Sequence, residues 1–173
     1  MQRILQGLRC PIPGHVAAVT DRVLYRACCT RQRKRDGTDE PGIGHVFERE
    51  VTFDNSAVRA FLQVTGDNNA IHTCASAARA RGFKDCLVPG MLCASLFPAI
   101  IGSTFPGAVY MMQDLKFRSP SLVGDTLLAR VTVTAKSGSR IRFRTECLGP
   151  KDDVIITGSA MALMPRKEQG SST

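Results

Sequence analysis

From residue 46 to residue 165 the apolar and polar positions follow first a helical period and then a strand period. Val46–Val51 is short and mixed and predicts a first strand. After it, Val58, Phe61 and Leu62 fall on one helical face, with Thr52 or Asp54 placed to cap the helix. Gly66, Asp67, Asn68 and Asn69 break that helix. A short Ala-rich helix is predicted over 73–81, ended by Gly82. Gly90 then opens a helical stretch to about Ile101 that is apolar on nearly every side, which predicts burial on every side. Pro98 within it predicts a kink or an early stop. From Ala108 the period becomes two. The runs 108–118, 126–135, 140–148 and 154–164 are bounded by Ser119-Pro120, Val123-Gly124-Asp125, Lys136–Ser139 and Gly149–Asp153. They read as four antiparallel strands at hairpin spacing. An antiparallel sheet wrapped around one long apolar helix is an α+β solution.

Composition narrows this picture. The chain has 173 residues, 43% hydrophobic and 22% charged, enough for one folded domain. Trp is absent and aromatics are 6%, so the core is aliphatic and there is no stacking platform for nucleic acid. No apolar run is long enough for a membrane-spanning helix. The net charge of +8 is uneven: residues 1–35 hold eight basic residues and one acid, Asp21. Arginines interleaved with Ile4, Leu5, Leu8, Val23 and Leu24 have the composition of an organellar transit peptide. A basic arm for acidic partners is the other reading. Arg31–Gly44 reads as a linker. Residues 1–45 are therefore expected to be transit peptide and flexible linker, 46–165 the domain, and 166–173 a polar tail.

Seven cysteines without a C-x-x-C pair read as reduced, mostly buried thiols. Of three histidines only His72 lies well inside the domain, which leaves no metal-site spacing. No cofactor is expected. Gly42-Ile43-Gly44 lacks the third glycine of a dinucleotide loop, and Ser95 has no nucleophile elbow around it. The chemistry concentrates in Thr65-Gly-Asp-Asn-Asn-Ala-Ile-His72, where Asp67 and His72 lie five apart across an Asn-rich turn. A carboxylate and an imidazole aimed at one spot move protons near neutral pH. The competing reading is an Asx turn with His72 as packing. Arg140, Arg142 and Arg144 alternate on one strand and share a face, as do Lys116 and Arg118. Those cations suit an acidic carrier surface or a phosphate, or they are a solvated strand face.

The motif F-x(3)-T-G-D-x-N-A-I-H, Phe61 to His72, resembles the signature of the MaoC-like type 2 (R-specific) enoyl-thioester hydratases and dehydratases of the hotdog superfamily. Leu87-Val-Pro-Gly-Met-Leu-Cys-Ala-Ser-Leu-Phe97, Phe105–Tyr110, Gln113–Phe117, Ser119-Pro120 and Val123-Gly-Asp125 extend the resemblance over roughly residues 46–165. It is strongest toward the mitochondrial 3-hydroxyacyl-thioester dehydratases. The resemblance implies a hotdog fold and side-by-side homodimers. It also implies substrates carried as thioesters of acyl carrier protein or coenzyme A in mitochondrial fatty acid synthesis, with a chloroplast address left open. Asp67 and His72 then handle the proton and the water, Asn69 orients their loop, and the Gly90 N–H meets the thioester carbonyl. Ala70 and Pro89 depart from the family's usual Pro and His. Non-catalytic acyl-thioester binding and thioester hydrolysis are the alternatives on this fold.

Overall fold

The computed structural model describes residues 41–165. The basic segment read as a transit peptide and the tail beyond residue 165 lie outside the described residues. Strand β1 is Val46–Thr52, and helix α1 follows over Asn55–Thr65. Asp54 is the cap: its carboxylate accepts the Ala57 N–H and the Ser56 hydroxyl, both at 2.8 Å, and the Ala57 bond above all holds its pKa low. Gly66 ends α1 in the left-handed region at φ 71°, where a side chain would be strained, and donates its N–H to Leu62. A 3-10 turn, Ala70–His72, leads to α2, Ala75–Ala80.

The predicted long helix is two. Helix α3, Gly90–Ala94, meets α4, Leu96–Thr104, at Ser95, whose hydroxyl turns back to the Leu92 carbonyl at 2.7 Å. Pro98 does not stop the chain. It sits in the first turn of α4, where a missing N–H leaves no bond unmade, and the helix runs on past Ile101. Burial on every side also fails. Phe97, Ile100 and Ile101 are sealed inside, whereas Met91, Ser95, Ala99, Gly102 and Ser103 are exposed. The small residues are what make the outer side tolerable in water.

Strands β2 (Val109–Phe117), β3 (Thr126–Ser137), β4 (Arg140–Leu148) and β5 (Val154–Leu163) complete one antiparallel sheet in the order β1-β3-β4-β5-β2. Only β3, β4 and β5 form a meander; β2 crosses to the far edge and pairs with β5 alone among the described strands. Sheet bonding begins before residue 46, since Gly44 and His45 both bond to Val133. On the inner face Leu127, Ala129, Val131, Val133, Ile141 and Phe143 are fully buried against α4, each large side chain contributing roughly 1.5–3 kcal/mol. On β5 that face carries Ile156 and then Gly158, Ala160 and Ala162, and the three small residues leave the helix its room. No helix among the described residues is long and apolar enough to cross a membrane.

Gly158 fixes the edge strand. A Cβ there would stand 1.9 Å from the Asp114 carbonyl oxygen of β2. Gly158→Ala is therefore expected to push β2 off β5 and to lower stability by about 1–3 kcal/mol, the usual cost of overpacking. A urea titration checks this; an unchanged midpoint would show that the two strands separate freely.

Candidate active site

Two main-chain segments build the site. After Gly66 the chain folds into an Asx turn: Asp67 Oδ1 accepts the Asn69 N–H at 2.9 Å. Asn69 caps the 3-10 turn, its side chain accepting the Ile71 N–H at 3.4 Å and its carbonyl the His72 N–H at 3.2 Å. With Oδ1 engaged in the turn, Asp67 Oδ2 faces His72 Nε2 at 3.7 Å. That gap is too long for a direct hydrogen bond, and one oxygen placed between them can bond both. The Asx turn and the carboxylate–imidazole pair are thus one structure, and Asn69 holds the turn without pointing its amide oxygen at the pair.

His72 is buried, and its Nδ1 lies 2.8 Å from the Leu87 carbonyl oxygen. A carbonyl only accepts, so Nδ1 carries a proton, and in the neutral form of the ring it is Nε2 that is left bare toward Asp67. The second segment is Cys86–Val88. It bonds Ile71 through the Leu87 N–H, and Ser121 and Val123 on its other side. Pro89 follows, and its carbonyl accepts the Leu92 and Cys93 N–H groups as α3 begins. The Gly90 and Met91 N–H groups have no acceptor among the described residues. They are the positive end of the helical stretch.

Gly90 and His72 line one open cleft of about 340 Å³. Buried Val88, Cys93, Ser121 and Ile155 form its inner wall, and Phe117, Arg118 and Pro120 its exposed rim. The Cys93 thiol lies 3.5 Å from the Ser121 hydroxyl, and burial raises its pKa. A protonated, desolvated thiol is a poor nucleophile.

The MaoC-like domain matches residues 38–153 of the chain. The chain belongs to the MaoC-like dehydratase family. A mitochondrial 3-hydroxyacyl-[acyl-carrier-protein] dehydratase of tomato, FERN, is 39% identical over 127 residues, covering 71% of this chain and 77% of that protein. An (R)-specific enoyl-CoA hydratase of Rhodospirillum rubrum is 34% identical over 120 residues, covering 67% and 83%. Among solved structures, the (R)-hydratase of Aeromonas caviae involved in PHA biosynthesis superposes with a TM-score of 0.71 at 29% identity, covering 74% of this chain and all of that one. The MaoC-like sheet and buried helix are the hotdog architecture expected from the motifs.

Within this MaoC-like domain the expected residues separate into two groups. His72 and Gly90 line the cleft, and Asp67 lies beside it, its Oδ2 3.7 Å from His72 Nε2. Arg140, Arg142 and Arg144 face away from the helices, on the outer face of β4. Arg140 opposes Leu163, which lies eight residue steps, about 26 Å, along β5 from Ile155 at the cleft. On that face Arg144 meets Glu146 at 3.3 Å, and Arg130 meets Glu48 at 2.7 Å. Arg118, which shared its spacing with Lys116 in the sequence, lines the rim. The residue that pins His72, Leu87, acts through its carbonyl, so no side-chain pattern marks it. In the sequence Phe117 is a strand position; its ring lies against Gly90, where a Cβ would come within 2.7 Å of Cε1, and a contact between distant segments leaves no local pattern.

The Leu87 contact has a spectroscopic consequence. Ring ¹H–¹⁵N correlation spectra of neutral His72 are expected to show Nδ1 protonated and Nε2 bare; a proton on Nε2 would contradict this pairing.

Proposed function

We propose that this chain catalyses the reversible loss of water from (3R)-hydroxyacyl thioesters to give trans-2-enoyl thioesters, in mitochondrial type II fatty acid synthesis. The supporting observation is that His72 and Gly90, whose N–H has no acceptor among the described residues, line one cleft, with the Asp67 carboxylate 3.7 Å from His72 Nε2. Dehydration breaks C2–H and C3–O and makes C2=C3. The C2 proton is weakly acidic because its removal drives charge onto the thioester oxygen. The Gly90 N–H, backed by the helix terminus, is the donor aimed at that charge. The Asp67–His72 pair accepts the C2 proton and returns one to the departing hydroxyl, which leaves as water. In hydration a water held between Oδ2 and Nε2 adds to C3, and the proton at C2 comes from the same pair.

This route needs no covalent intermediate, which suits a cleft whose thiol is held protonated. The carrier is acyl carrier protein or coenzyme A, both of which appear in the names of the relatives. The mitochondrial setting follows the tomato relative's name and the Arg-rich composition of residues 1–35. The free edge of β2 exposes Val109, Met111 and Met112, and we read it as the joining edge of a side-by-side homodimer. Arg140, Arg142 and Arg144 remain a candidate carrier-facing surface only for a partner large enough to reach past the sheet.

Asp67→Asn and His72→Ala are expected to fold and to lose about two to four orders of magnitude in turnover, the scale of a positioned acid or base. The assay follows loss of enoyl-thioester absorbance on both carriers and then the configuration of the product. Retained turnover in either variant, or a (3S) product, would overturn the proposal.

A further inference from the structure

Phe117 ends β2 on the inner side of the sheet, opposite Ile156, yet it stands outside the buried core and is 53% exposed. Its ring packs against the α-carbon of Gly90. A Cβ on residue 90 would lie 2.7 Å from Phe117 Cε1 and 2.9 Å from Cδ1, closer than real atoms approach. Both residues line the cleft with His72. Core packing does not account for a large ring left half in water at a strand end. Its neighbour does: Gly90 carries an N–H with no acceptor among the described residues.

Resting on the function proposed above, we infer that Phe117 is a positioning residue for the oxyanion donor. Its flat ring is the wall that holds the thioester carbonyl against the Gly90 N–H and keeps water from that donor. The exposed half of the ring is covered when a thioester fills the cleft, so its apolar burial appears with bound ligand. A donor screened from water interacts more strongly with the charge that develops on the carbonyl oxygen. Glycine at position 90 follows from the same contact. The space a side chain would occupy belongs to the ring, so the residue is small to admit Phe117, beyond any need for close approach by the ligand.

The test is enoyl-thioester hydration by the wild type, Phe117→Ala, Phe117→Leu, Gly90→Ala and the Gly90→Ala/Phe117→Ala double variant. Misplacing the reacting carbonyl is expected to cost Phe117→Ala about a hundredfold in kcat. KM should move by less than about threefold, because the lost interaction belongs to the transition state. Phe117→Leu, which keeps an apolar wall, recovers most of that loss. Gly90→Ala drives a methyl into the ring and loses heavily alone, but costs no more than about threefold once Phe117 is Ala, since the two share one contact. Thermal midpoints and sedimentation of each variant separate these effects from unfolding or lost assembly. Wild-type kcat in Phe117→Ala, or losses at 90 and 117 that simply multiply, would overturn the inference. If the wild type is active, Asp67→Asn is dead and Phe117→Ala is unimpaired, this inference falls while the proposed function stands. A wild type silent on both carriers removes the proposed function, and this inference with it.

Discussion

The main chain of Cys86–Val88 is the constraint on which the site depends. One side of it binds the turn after α1, through Leu87 N–H to Ile71 and His72 Nδ1–H to Leu87. The other side binds the segment after β2, through Val88 N–H to Ser121 and Val123 N–H to Cys86. The chain then runs through Pro89 into the first turn of α3. Three residues thus fix the imidazole, its tautomer and the direction of the Gly90 N–H. These are buried backbone groups, and such groups cost free energy unless paired, so the geometry is specified strongly. Local turn chemistry alone would leave Asp67 and His72 on a loop with no fixed relation to the helix.

That division explains what the sequence made legible. Helix α1, β3 and β4 were readable because each buries a regular stripe and because Asp54 and Gly66 punctuate the helix, whereas β2 buries no residue and reads as a strand from its Val, Tyr, Met and Phe content. Asp67, His72 and Gly90 were readable because their motifs are local. The break at Ser95 was not. An apolar run marks a buried helix, but nothing in its composition says that Pro98 opens a new first turn and does not close an old one. The place of β2 at the far edge was hidden for a related reason. Hairpin spacing speaks for neighbours in sequence, and the β2–β5 pairing is long-range. Leu87 and Phe117 were hidden because one acts through a carbonyl and the other through a contact with a glycine.

The two departures from the family's usual residues also have local explanations. The Ala70 N–H has no acceptor among the described residues, so a proline at this position would leave no hydrogen bond unmade. Here the turn is closed by the Asn69 cap and by Thr73 and Cys74 donating to the Ala70 carbonyl. Pro89 carries the extended backbone, φ −56° and ψ 128°, that sets the start of α3, and it offers its carbonyl to two N–H groups. Its ring fixes φ covalently.

A tension remains between where the site's rigidity comes from and where its wall stands. His72 and Gly90 are held by buried, doubly paired main chain. Phe117 sits at the end of β2, a strand paired on one side only among the described strands. What steadies β2 is its antiparallel pairing with β5, with the close approach at Gly158, and Gln113, which reaches the Ser159 carbonyl of β5 and Thr145 of β4 while bonding Asp114 and Tyr110 of its own strand. Thr145 and half-buried Tyr110 make that cluster water-poor, and burial pushes the Tyr110 hydroxyl up to about 12, so it stays a donor across the whole working range of pH. A single edge strand pinned by one polar cluster is still softer than the interior of the sheet. Pairing the free edge of β2 with a second copy would stiffen the strand that carries the ring. In such a joined sheet, assembly and the shape of the cleft beside Gly90 would be one property of the same strand.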